Sequence, residues 1–269
     1  MENKRKKVKL SLFLEFIILL FILGFTSIVM SNNDLDEDIS SYSKVVDSDT
    51  EINIKIKELK NKYNINIIYG NDTIELARNV KANIITNNED IIKQLDILKV
   101  ALEKYAKNFF IKDSLTIVLL ESFNNNNLAL ASKNSLGEYK IYLSNNKEFE
   151  RSIHHEIYHV FEYMNNITNS KEYANWDNLN PVEFSYSDKL NLITNEYVFG
   201  STTNDLDVYF VSRYSKTIHK EDRAEIFAEI MMDKYNFKNN LNLIKKIETI
   251  ENVIKSTNNK ILIDINKYD

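Results

Sequence analysis

The chain has 269 residues, a formal net charge of -5 and no cysteine. Without cysteine, neither a disulfide framework nor a lipid-modified N-terminal cysteine is available, so the fold has to be held by its hydrophobic core. The acidic balance gives no electrostatic reason to expect nucleic acid as a partner.

The first 30 residues combine a basic start with an apolar stretch. Five of the residues 4–9 are basic, and the run from Leu12 to Met30 carries one charged residue, Glu15. An apolar segment of about 20 residues can span a bilayer, and its positive flank stays inside. We therefore expect residues 1–30 to be a secretion signal or membrane anchor, with the rest of the chain extracytoplasmic. The length favours a retained anchor, and cleavage stays open.

The remainder divides into a linker and a domain. Residues 31–50 are rich in Asp and Ser and lack apolar periodicity, which is typical of a flexible acidic linker. Residues 51–269, about 220 in number, suffice for one sizeable domain. We expect an N-terminal half, 51–167, and a C-terminal half, 168–269.

Apolar periodicity predicts both strands and helices in the N-terminal half. The predicted helices cover about 51–63 and 88–108, and the predicted strands cover 65–69, 82–86, 115–120, 128–131 and 139–143. The strand 115–120 is apolar and expected to be central. The last two strands form a hairpin.

The rest of the pattern is mainly helical. It predicts helices at about 146–165, 219–233 and 241–256, long loops over 168–204 and a short apolar segment at 261–265. This order indicates an α+β, zincin-like fold, in which a small mixed sheet packs on the helix 146–165 and a mainly helical half follows.

The segment Ile153–His159, IHHEIYH, contains three of the four histidines in the chain. It forms the pattern HExxH through His155, Glu156 and His159. Residues four apart share a helix face, so the two imidazoles can bind one metal ion, for which Zn²⁺ is the expected cofactor. Glu156 projects toward the place of a metal-bound water. The motif therefore predicts a zinc site with Glu156 as general base.

A catalytic zinc site with two histidines needs a third protein ligand. The arrangement HExxHxxGxxH is excluded, because its last two defining positions hold Glu162 and Asn165. Glu183 is a candidate but lies in a loop-like stretch. Glu221 is favoured because it continues the apolar stripe of the next predicted helix, where a carboxylate is costly unless it is paired or binds a metal.

The neighbours of Glu221 suggest further roles. Glu225, one turn later, is placed to accept the N–H of a ligating histidine. The alternative is that Glu221 and Asp222 only complement the positive N-terminus of their helix, which suffices to explain Asp222.

HExxH followed at a distance by Glu-x-x-x-acid resembles the gluzincin branch of zinc metallopeptidases. The segment Tyr214–Glu225, YSKTIHKEDRAE, is similar to lethal-factor-type and Pro-Pro endopeptidase catalytic domains and to secreted bacterial zinc-binding metallopeptidases with an EDxAE segment. The resemblance covers about 144–232. It implies that Glu221 is the third zinc ligand and that Tyr214 assists the oxyanion. Aromatic residues of the lethal-factor type are replaced at positions 222 and 223, so substrate preference is not carried over.

Three other side chains are weaker candidates. His154 points about 100° away from His155 on the helix, so we expect it to support the site from outside or to lie at the surface. His219 is expected to cap its helix or to be exposed. Trp176 is expected either to line the substrate cleft or to pack in the core.

These features predict an exported or membrane-anchored zinc peptidase that hydrolyses peptide bonds in a peptide or protein substrate. One alternative is a surface-anchored binding module with a structural or non-catalytic zinc site. Two histidines and a carboxylate also describe a non-haem iron oxygenase, although its ligands normally come from strands.

Overall fold

The computed structural model describes residues 51–70, 73–76, 80–107, 109, 115–125, 127–134, 136–167, 171, 173–186, 209–233 and 240–257. The predicted anchor, the acidic linker and the apolar segment 261–265 lie outside these residues. Within them, no helix combines the length and the hydropathy needed to cross a bilayer.

This part of the chain forms six strands and five α-helices. The strands are β1 (Ile65–Ile68), β2 (Thr73–Leu76), β3 (Val80–Ile84), β4 (Leu115–Phe123), β5 (Ala129–Lys133) and β6 (Tyr139–Ser144). The helices are α1 (Glu51–Tyr63), α2 (Asn88–Leu102), α3 (Phe149–Asn165), α4 (His219–Met232) and α5 (Leu241–Ser256).

The strands form one mixed sheet with the order β2-β3-β4-β6-β5. Strand β4 is central, as predicted: it runs parallel to β6 on one side. On its other side it pairs first with β1, in parallel, and then with β3, antiparallel. The predicted hairpin is also confirmed, since β5 and β6 are antiparallel neighbours at one end of the sheet.

The main hydrophobic core lies between the helices and one face of the sheet. Ile117 and Leu119 of β4 and Ile141 of β6 join it from the sheet, and Ile153 and Ile157 join it from α3. The predicted α+β arrangement, with a mixed sheet on the HExxH helix, is therefore confirmed, and the described residues after 167 are mainly helical.

Two local predictions differ from the structure. Helix α2 ends at Leu102 rather than near residue 108, and Tyr105 beyond it turns inward to contact His154. Strand β2 was not predicted, because a four-residue segment has too little alternation to stand out from a loop.

The central strand provides a test of the core. Ile117 is fully buried, and its replacement by alanine leaves a cavity, so Ile117→Ala should lower the free energy of unfolding by about 2–5 kcal/mol. Ile54→Ala, at a position 53% exposed on α1, is the matched control and should change it by less than about 0.5 kcal/mol. Urea denaturation measures both, and equal effects would contradict this placement of the core.

Candidate metal centre

Helices α3 and α4 lie side by side and carry the groups singled out in the sequence. Almost all of α3 from Phe149 to Glu162 is buried, and so is almost all of α4 from Glu221 to Met231. Both helices end at a residue in the left-handed conformation, Asn166 and Asp233, which fits the preference of Asn and Asp for that region.

Three side chains from these helices converge. Nε2 of His155 lies 3.1 Å from Nε2 of His159. Oε2 of Glu221 lies 3.0 Å from each of these nitrogens. The three residues are 6–8% exposed. Within the described ranges, they form a group that could hold a metal ion.

The geometry of this group fits a zinc ion. Two ligand atoms bound to tetrahedral zinc at about 2.0–2.1 Å lie about 3.3 Å apart, close to the separations seen here. Two imidazoles with a carboxylate are also the protein ligands of catalytic sites that leave one position open. Three acceptor atoms that face each other in a buried place repel one another unless a proton or a metal ion lies between them.

The electrostatics of the group favour a cation. Burial lowers the pKa of His155, but hydrogen bonds with Glu221 and Glu225 outweigh this effect and raise it to about 10. Burial raises the pKa of Glu221, but the electrostatic effect of His159 and hydrogen bonds with both histidines hold it well below its usual range. His155 thus carries a proton between these carboxylates, and a metal ion can take the place of that proton.

Glu156 is buried beside the metal-binding group but is not one of its three members. Its carboxylate accepts a hydrogen bond from the backbone of Ala131 in the edge strand β5. Burial raises the pKa of Glu156, and His155 and His159 only partly oppose this effect. A carboxylate with a raised pKa is suited to accept and return a proton.

Glu225 and Tyr214 both lie against His155. Oε1 of Glu225 is 2.8 Å from Nδ1 of His155, so the carboxylate accepts the N–H that leaves Nε2 facing the metal-binding group. The partly buried ring of Tyr214 lies 5.9 Å from the ring of His155, centroid to centroid. Tyr214 begins a short 3-10 turn, Tyr214–Lys216, that precedes α4.

The other sequence candidates lie elsewhere. The ring of His154 is fully buried, and its Nδ1 is 2.7 Å from the hydroxyl of Tyr105. It therefore supports α3 from behind and is not at the surface. Glu183, the alternative third ligand, is exposed, and so is His219 at the start of α4. Trp176 is 1% exposed and packs in the core rather than lining a cleft.

Asp222 lies in the first turn of α4, as predicted, but the helix N-terminus does not account for all of its contacts. Asp222 is fully buried, and its Oδ2 accepts hydrogen bonds from Lys246, Tyr186 and Trp176. Lys246 comes from α5, where the apolar stripe around Leu243 and Ile247 places it on the buried face. That position inside an apolar stripe is a sequence signal for a buried lysine.

The sequence also did not predict the contacts of Glu225 with Arg151 and Ser212. Arg151 binds both of its carboxylate oxygens, and Ser212 donates a further hydrogen bond to it. Arg151 lies four residues before His155, so the same helical spacing that relates His155 to His159 would have placed it on the shared face.

No family model and no curated protein matches the sequence. Among solved structures, the chain is similar to the "crystal structure of a putative zinc-binding metallo-peptidase from Bacteroides caccae". The two share 15% identity with a TM-score of 0.46, over 81% of this chain and 90% of that one. At this level of similarity, the function has to be argued from the site itself.

Metal binding should release a proton. Because the pKa of His155 is raised from 6.5 to about 10, the metal-free protein holds a proton there at neutral pH, and a metal ion must displace it. The apparent zinc affinity of the full chain should therefore rise roughly tenfold per pH unit between about pH 7 and 9. Titration calorimetry in buffers of different ionisation enthalpy measures the released proton. A heat of zinc binding that does not depend on the buffer would contradict a protonated His155 in the metal-free protein.

The raised pKa of His155 also determines how the stability of the metal-free protein depends on pH. Its stabilising contribution is fully present below about pH 6.5 and is lost as the pH rises through 10.

Proposed function

We propose that the chain is a zinc-dependent peptidase that uses an activated water to hydrolyse peptide bonds. The observation that carries this proposal is the convergence of His155, His159 and Glu221 at 3.0–3.1 Å, with Glu156 buried beside them. Bound zinc would supply a Lewis acid that lowers the pKa of water toward about 7 and polarises a carbonyl.

Glu156, Tyr214 and Glu225 would then have separate roles in the reaction. Glu156 takes the proton of the attacking water and returns it to the leaving amine, which its raised pKa favours. The hydroxyl of Tyr214 donates to the carbonyl oxygen of the substrate as negative charge develops there. Glu225 holds the ring of His155 in place.

The edge strand β5 supports a peptide as substrate. The N–H of Ser144 donates to the carbonyl of Leu128, so in this antiparallel pair the backbone groups of residues 128, 130 and 132 face β6. Those of Ala129, Ala131 and Lys133 then face away from β6. The N–H of Ala131 reaches Glu156, so this edge runs past the site. An extended peptide can pair with such an edge.

The two alternatives gain less support. A structural zinc site normally closes its fourth position with another Cys or His, whereas the group here combines three ligands with a buried carboxylate that is not one of them. An iron oxygenase has no use for a base beside the first histidine. A binding module would retain zinc without cleaving any peptide.

We further propose that the peptidase works outside the cytoplasm. The basic start and the apolar run of residues 1–30 support an anchor or secretion signal, and residues 31–50 would link it to the domain. The membrane would then be a partner through this N-terminal segment alone.

The general base is tested by Glu156→Gln. The amide cannot take a proton but preserves the shape of the side chain, so turnover should fall by about 10²–10⁴-fold while zinc stays bound. A mixed peptide library, read by mass spectrometry with and without chelator, measures cleavage, and elemental analysis measures zinc. Normal cleavage by the variant would show that the mechanism is wrong, and zinc without cleavage by the wild type would favour the binding module.

The third ligand is tested by a pair of glutamate variants. Glu221→Ala removes one of three ligand atoms and should weaken zinc binding by more than about 100-fold. Glu183→Ala is the matched control, because Glu183 was the alternative ligand and is exposed, and it should bind zinc like the wild type. The reverse result would move the third ligand to Glu183.

A further inference from the structure

Helices α3 and α4 run antiparallel and meet through side chains spaced four residues apart on each. On α3 these are Arg151, His155 and His159, and on α4 they are Glu229, Glu225 and Glu221. The metal-binding group occupies one end of this row of contacts, and Arg151 occupies the other. Arg151 is therefore linked to the group by the intervening Glu225.

Glu225 is the node of the row. Nη1 and Nη2 of Arg151 donate to its two oxygens at 2.8 and 2.7 Å. Nδ1 of His155 lies 2.8 Å from one oxygen, and Oγ of Ser212 donates to the other at 2.5 Å. The side chain of Glu225 is 1% exposed. The orientation of the Glu225 carboxylate is thus set by hydrogen-bond donors from Arg151, His155 and Ser212.

The guanidinium of Arg151 is itself fixed. Its Nε donates to Oε1 of Glu229 at 2.8 Å, while the other two nitrogens hold Glu225. A fork of this kind defines the plane of the carboxylate, which a lysine cannot do. The carboxylate in turn defines the tilt of the His155 ring and the tautomer that leaves Nε2 free for a metal.

The second imidazole has no comparable support among the residues described. Nδ1 of His159 is buried and has no hydrogen-bond partner in that part of the chain. The orientation of the two imidazoles therefore depends on the support that Glu225 and Arg151 give to His155.

We propose that Arg151 is a positioning residue of the metal centre, which fixes His155 by holding Glu225. This inference rests on the proposed zinc site. Arg151 contacts Glu225 and Glu229, and Glu225 in turn contacts the ligating imidazole of His155. Its effect on the metal should therefore pass entirely through Glu225.

The test compares two buried arginines that both join α3 to α4. Arg223 is 1% exposed and its Nε lies 2.5 Å from Oε1 of Glu162, but it points about 200° round α4 from Glu221. Arg151→Gln and Arg223→Gln should both lower the free energy of unfolding, because each removes the guanidinium that pairs with a buried carboxylate, Glu225 or Glu162. Only the first should affect the metal.

The measurement is the zinc dissociation constant of the full chain, obtained by competition with a chromophoric chelator. Arg151→Gln should raise it by about 10–100-fold, and Arg223→Gln should change it by less than about twofold. Arg151→Lys, which keeps the charge and is the safer variant for folding, should raise it by a smaller factor. In a Glu225→Gln background, Arg151→Gln should add no further increase.

Each other outcome counts against the inference. An unchanged zinc dissociation constant in both Arg151 variants would overturn this inference but not the proposed function. An equal loss of zinc in Arg223→Gln would do the same. An additive effect in the Glu225→Gln background would show that Arg151 does not act through Glu225. A wild-type chain that binds no zinc would overturn the proposed function together with this inference.

Discussion

The packing of α3 on α4 buries charged side chains beside apolar ones such as Tyr158 and Phe227. Arg151, Glu162, Glu225 and Arg223 are each at most 6% exposed, and the three members of the metal-binding group are nearly as buried. Burying such groups costs several kcal/mol per charge unless each finds a partner of opposite sign. The two helices therefore lie together in the register in which Arg151 meets Glu225 and Arg223 meets Glu162, and that register also brings the metal-binding atoms together.

Helix α4 is held from its other sides as well. Lys246 of α5 pairs with Asp222 at 2.7 Å, directly after Glu221 in the chain, and the side chains of Lys246 and Asp222 are fully buried. Arg223, which pairs with Glu162 of α3, also stacks on the ring of Tyr173, 4.2 Å from its centroid. Ion pairs of this kind add little net stability, but they define positions that apolar packing leaves free. A metal ligand needs positions defined in this way.

The sequence predicted what depends on local periodicity. The spacing of His155 and His159 follows from the helix alone, and the apolar stripe of α4 was enough to turn Glu221 inward. Side chains whose partners come from distant elements were missed: Asp222 was assigned to the helix N-terminus because nothing near it in sequence points to Lys246. Arg151 was overlooked because an arginine on a helix is usually solvated. Strand β2 was missed because its pairing with β3, rather than its composition, makes it a strand.

If two imidazoles of α3 and one carboxylate of α4 enclose the same ion, X-ray absorption at the zinc edge of the zinc-loaded full chain will detect them. We expect a four-coordinate shell with two imidazole nitrogens at about 2.0–2.1 Å and oxygen atoms in the remaining positions. A shell with fewer than two imidazoles, or with a third imidazole in place of the carboxylate, would contradict this arrangement.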